Sequence, residues 1–97
     1  MKIVVDGFKF VTGSFTNPDT GLVIDYDNVV FNGRRKAISD NHVGMECVQI
    51  KIARKLLPDG FKTKQELELL LDQRVFFDTE RQDPKSKIYS ASDFELI

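Results

Sequence analysis

The densest run of cations in the chain is Arg34-Arg35-Lys36, and a second group, Lys51, Arg54 and Lys55, lies downstream. Guanidinium and ammonium groups arrayed along one surface meet a polyanion at several points, and each phosphate they neutralise releases counterions. The other half of that chemistry is a flat ring on which a base stacks, at roughly 1–3 kcal/mol per base and with little regard for sequence. The candidate rings are Phe15, Tyr26, Phe31, Phe76 and Tyr89. Phe15 is the most informative, because Ser14, Thr16, Asn17 and Pro18 surround it. A Phe in such a setting marks a contact surface, for nucleic acid or for a partner subunit, or else belongs to a tip folded back over the core. Tyr26 shares a strand face with Ile24, so core and contact readings both stand. The bland reading of Arg34-Arg35-Lys36 is a solvated loop.

Other chemistries find little support. His42 is the only histidine and has no second histidine or cysteine near it in sequence, whereas a metal needs several such ligands. Cys47 is the only cysteine, within the apolar run Cys47-Val48-Gln49-Ile50, and reads as a buried, inert thiol. Asp25 and Asp27 share a face of a strand, where paired carboxylates serve solubility. Gly13, Gly21 and Gly33 are isolated turn glycines and build no phosphate loop. The expectation is a non-enzymatic protein with no cofactor.

Fourteen basic and 15 acidic residues leave a formal net charge of -1. That balance argues against a protein that holds duplex DNA by charge alone, but a near-neutral chain can still segregate its charges by face. A single cysteine permits no intramolecular disulfide, and Met1-Lys2-Ile3-Val4-Val5 reaches Asp6 too soon for a secretory apolar region. No apolar stretch approaches a membrane span. These features place the expected site of action in the cytoplasm.

The elements that must position the candidates follow from period and punctuation. Lys2 to Thr12 reads as one long, bent strand with a bulge near Gly7, Phe8, Phe10 and Thr12 on one face and Lys9 and Val11 on the other. Residues 13–21 are turn chemistry, a protruding hairpin tip. A second strand spans Leu22 to Phe31, with Leu22, Ile24 and Tyr26 on one face, and Asn32-Gly33 ends it. Residues 34–45 read as a polar loop with a basic start. A third strand runs from about Glu46 to Arg54, where Val48, Ile50 and Ile52 alternate with Gln49, Lys51 and Ala53. Leu57 to Gly60 form a turn. A helix over Lys64–Gln73 follows, with Thr63 as N-cap, Glu66 completing a capping box, and Leu67, Leu70 and Leu71 as its apolar stripe. Arg74–Thr79 and Lys87–Leu96 make the last two strands, separated by a charged turn. Phe76 and Phe77 must point to opposite faces, so one is core.

Five strands with one helix between the third and fourth is the order of the OB-fold, a Greek-key barrel whose second and third strands form the binding face. The expected architecture is therefore a mostly β, single OB-like domain over residues 1–97. The hairpin tip Gly13 to Gly21 with the strand through Tyr26 to Asn32-Gly33, the alternating Val48-Gln49-Ile50-Lys51-Ile52, and the ending Ile88-Tyr89-Ser90-Ala91-Ser92-Asp93-Phe94-Glu95-Leu96 together resemble the helix-destabilising single-stranded DNA-binding proteins of filamentous phages. The resemblance covers most of the chain and rests on pattern. It implies a small OB-type barrel that dimerises and coats single-stranded DNA. This sequence departs from that family in carrying a full helix after the third strand and in its acidic balance.

The sequence thus leads to sequence-tolerant binding of single-stranded DNA by a homodimer in phage or mobile-element replication. The expected contact residues are Phe15, Tyr26, Arg34, Arg35, Lys36, Lys51 and Arg54. The competing reading is a small protein-interaction or structural module with no nucleic-acid role.

Overall fold

A computed structural model describes residues 1–37, 41, 43–85 and 87–97. Five strands, β1 (Lys2–Thr16), β2 (Val23–Lys36), β3 (Met45–Ala53), β4 (Arg74–Gln82) and β5 (Tyr89–Leu96), close into a barrel in the order β1-β2-β3-β5-β4. β3 and β5 run parallel, and the other pairs are antiparallel. This is an OB-like barrel, with a 3-10 turn (Arg54–Leu56) and a short helix, α1 (Lys64–Glu68), between β3 and β4.

The alternation expected of β1 and β2 decides what lies inside. Phe8 and Phe10 pair in register with Phe31 and Val29, and all four face the interior. Phe31 sits at the centre of an aromatic cluster, 5.1 Å from Phe77 and 6.4 Å from both Phe8 and Phe94 between ring centroids. Offset and tilted pairs of this kind add to the area they bury. Val5, Ile50, Ile52, Val75, Leu67 and Leu70 complete the core. Of the adjacent Phe76 and Phe77, Phe77 is the core residue and Phe76 is half-buried on the opposite face.

Several boundaries differ from the sequence reading, each for a physical reason. Asn32-Gly33 does not end β2; the strand continues through Arg34-Arg35-Lys36, so the basic run is strand and not loop. Gly33 serves close approach: a β-carbon there would lie 2.5 Å from Ile3 Cδ1 and 2.7 Å from the Val4 carbonyl oxygen. The first strand reaches Thr16, and the reversal is confined to residues 17–22. There Asn17 accepts the amides of Asp19 and Gly21, and Gly21 takes a φ of 71°. The bulge falls between Val5 and Gly7.

The helix is shorter than its leucine stripe implies. The amides of Leu69, Leu70 and Leu71 bond the carbonyls three residues earlier, tightening the last turn. Val5 then captures the chain: its carbonyl accepts the Asp72 amide and its amide donates to Gln73. Leu67 and Leu70 are buried, while Leu69 is exposed. β4 extends to Gln82, beyond the expected Thr79, because Arg81 and Gln82 pair with Ser90 and Tyr89 of β5. No helix is long and apolar enough to cross a membrane among the described residues.

The capping box is present as expected. Thr63 Oγ1 accepts the Glu66 amide, and Glu66 Oε1 accepts the Thr63 amide. Those bonds to Thr63 hold the Glu66 carboxyl below its usual range. A lowered carboxylate pKa stabilises the fold above the unfolded value, and this contribution disappears as pH falls through the carboxylate range. Thr63→Ala is expected to cost roughly 0.5–2 kcal/mol at neutral pH, and the difference should shrink on acidification. Denaturant midpoints at pH 7 and in acid check this; coincident midpoints at pH 7 would contradict it.

Candidate nucleic-acid interface

The β1–β2 pairing continues beyond the barrel as a two-stranded ribbon. Its outward face continues the outer face of the barrel, because the period of two is unbroken past Gly7. Phe15 pairs with Ile24, and Gly13 with Tyr26. Phe15 is 52% exposed and Tyr26 39%, so of the two readings of Tyr26 the core one fails, and Ile24 is itself exposed. Tyr26 lays its ring over Gly13, where a β-carbon would collide with the Tyr26 hydroxyl and Cζ. The ribbon's other face carries Thr12, Ser14, Asp25 and Asp27. Rings and acids are thus separated onto opposite sides.

Towards the barrel the same outer face becomes cationic. Lys9, Val30, Lys51, Ser90 and Arg81 lie side by side across β1, β2, β3, β5 and β4. Val30 is only 3% exposed although it faces outward. The methylene stems of Lys9 and Lys51 on either side can cover it while their ammonium groups stay in water. Lys51, Arg81 and Ser90 line a cleft of about 300 Å³ beside the β4–β5 turn. One step further along, Gln49 Nε2 donates to Asn32 Oδ1 at 2.8 Å across β2 and β3. These amides, with Lys87 and Tyr89, line a second cleft of about 410 Å³.

Beyond the amides lie Arg34, paired with Cys47, and Lys36, paired with Met45. Arg34 Nε bonds both carboxylate oxygens of Asp6, at 2.9 and 3.1 Å. Cys47 is exposed on this face rather than buried, because it falls on the outward step of β3, with Gln49 and Lys51.

Two of the expected contact residues do not join this face. Arg35 takes the inward step of β2 at the mouth of the barrel. Its Nε donates to Glu46, and its guanidinium reaches the Tyr89 hydroxyl at 3.4 Å and lies 5.5 Å from that ring's centroid. Burial disfavours the charge, but the bonds to Glu46 and Tyr89 outweigh it and hold the guanidinium above its usual pKa. Arg54 follows β3 and turns to the ribbon's other face. Its guanidinium lies 4.6 Å from the Phe10 ring centroid and 3.8 Å from Asp27, and its Nε donates to the Lys62 carbonyl at 2.7 Å. Both arginines tie elements together.

Lys9 and Arg81 escaped the sequence reading. For Lys9 the signal was present, since it alternates with Phe8 and Phe10. Arg81 was hidden by ending β4 at Thr79. His42 lies outside the described residues. No group of three or more His, Cys, Asp or Glu side chains could hold a metal among the described residues. Comparison with models of protein families, with curated proteins and with solved structures gives no match.

Proposed function

We propose that this OB-like barrel binds single-stranded DNA along its outer face, over β1, β2 and β3 and across β5 to Arg81 of β4. The observation that carries the reading is the placement, on one continuous face, of the exposed rings Phe15 and Tyr26 and the cations Lys9, Lys51 and Arg81. Asp25 and Asp27 lie on the reverse of the ribbon. Rings that stack and cations that track the backbone are the two requirements for sequence-tolerant single-strand binding. The second and third strands of an OB barrel are also where oligonucleotides dock. Arg34 and Lys36 continue the cationic path, while Arg35 and Arg54 support it from behind. The binding is non-enzymatic and serves phage or mobile-element replication in the cytoplasm.

The two residue classes fail differently. Lys51→Ala is expected to weaken all sequences alike and to flatten the log–log salt dependence by about 0.7 for the lost single-strand contact. Phe15→Ala is expected to cost roughly 1–3 kcal/mol with that slope nearly unchanged, because stacking releases no counterions. Titration of a labelled oligo-dT at several salt concentrations reads both. Absence of binding by the parent at low salt would end the proposal.

The same reading makes the protein a homodimer. Leu22 in the turn and Val23, paired with Thr16 on the reverse of the ribbon, stand exposed, and a second copy would remove them from water. Sedimentation at tens of micromolar is expected to give a species of twice the 11.1 kDa chain mass, with Leu22→Glu/Val23→Glu shifting it to the monomer. A parent that sediments only as the single chain would refute the dimer.

A further inference from the structure

At the end of the barrel away from the ribbon, the outer face carries a different pattern. Val4 of β1 lies in register with Arg74 of β4 on one side and Arg34 of β2 on the other. Residues directly opposite on neighbouring strands bring their β-carbons to roughly 4.5–5.5 Å. Two guanidinium-bearing side chains therefore flank one aliphatic side chain. Lys2 and Lys36 stand at the adjoining ends of β1 and β2, and Met45 pairs with Lys36. Together with Ile3 and Arg35 these residues line a groove of about 350 Å³.

The charges of this groove are unbalanced. Arg34 is answered by Asp6 and Arg35 by Glu46. Lys2, Lys36 and Arg74 form no ion pair among the described residues. Five cations thus meet two carboxylates, on a protein whose net charge is -1. The apolar part of the lining is aliphatic: Ile3, Val4 and Met45, with Met45 50% exposed. No aromatic ring lines the groove, so bases lack the flat partner they find at Phe15 and Tyr26. A thioether side chain, by contrast, adapts to varied aliphatic partners.

We propose that this groove docks an acidic peptide segment of a partner protein, one that carries an aliphatic side chain between its carboxylates. The aliphatic group packs on Val4 and Met45. The carboxylates take charge-assisted hydrogen bonds from Arg74 on one side and from Lys2 and Lys36 on the other. Arg34 and Lys36 are shared with the proposed DNA path, whereas Lys2 and Arg74 lie outside it, so substitution of Arg74 separates peptide docking from DNA binding.

The test is fluorescence anisotropy with a labelled peptide of alternating Glu and Leu, beside two controls that replace every Glu by Gln or every Leu by Ser. The Glu–Leu peptide is expected to bind saturably, and each control at least about tenfold more weakly. Arg74→Glu is expected to weaken the Glu–Leu peptide about tenfold while oligo-dT affinity stays within about twofold. Lys36→Glu, at an exposed strand end, repeats the peptide test with a second variant, and circular dichroism verifies that each variant is folded. Failure of the parent to bind the Glu–Leu peptide overturns the proposal. So does equal binding of the Gln–Leu control. Parallel loss of peptide and oligo-dT affinity in Arg74→Glu also overturns it, and assigns the groove to nucleic acid.

Discussion

The pairing of β1 with β2 is the constraint on which the rest of the molecule depends. One unbroken register of ten pairs, from Gly7↔Asn32 to Thr16↔Val23, carries the two strands from the core around Phe31 to the turn. A slip of one residue would exchange the faces. Slipping β1 would take Phe8 and Phe10 out of the interior and turn Lys9 and Phe15 away from the common surface, and slipping β2 would do the same to Val29 and Phe31 and to Tyr26 and Arg34. The bulge between Val5 and Gly7 is the adjustment that lets one alternation serve both the barrel mouth and the ribbon. Gly33 permits the close contact of β1 and β2 there, and the backbone of Val5 closes the far side by bonding Asp72 and Gln73. The core and the outer face are two readings of one register.

That geometry explains how a chain with nearly balanced charge carries a cationic surface. Across β1, β2 and β3 the balance is achieved by face rather than by neighbourhood, while Asp78, Asp93 and Glu95 lie on the outer side of β4 and β5. Asp25 and Asp27 occupy the reverse of the ribbon, and Arg54 takes up Asp27 there. Glu46 points inward to Arg35. Asp6 remains on the outer side and binds Arg34, which reduces the charge at that position. Lys9, Lys51, Lys36 and Arg74 stay unpaired among the described residues. Exposed ion pairs are individually weak, so these arrangements shape the surface potential more than they stabilise the fold.

The barrel was legible in the sequence because its signals are local. Alternation in β3, the capping box at Thr63 and the turn at Asn17 to Gly21 each lie within a few residues of chain. What was not legible depended on contacts distant in sequence. Asn32-Gly33 has the chemistry of a turn, but Ile3 and Val4 press against Gly33 from another strand. The leucines after Glu68 have helical spacing, but Val5 draws the chain back into the sheet. Arg35 and Arg54 look like Arg34 and Lys51 in the sequence. Their directions are set by strand phase at the barrel mouth and by the ring of Phe10. Cys47 sits in an apolar run, yet its step of the strand faces water.

The central claim is that single-stranded DNA follows the outer face from the ribbon to the Lys51 row. Amide chemical-shift mapping of labelled protein during titration with oligo-dT reads that path residue by residue. The account predicts that shifts concentrate at Lys9, Gly13, Phe15, Tyr26, Val30, Lys51 and Arg81, with α1 silent. Shifts confined to α1 and the segment from Lys62 to Asp72, or none at saturating oligonucleotide, would contradict it.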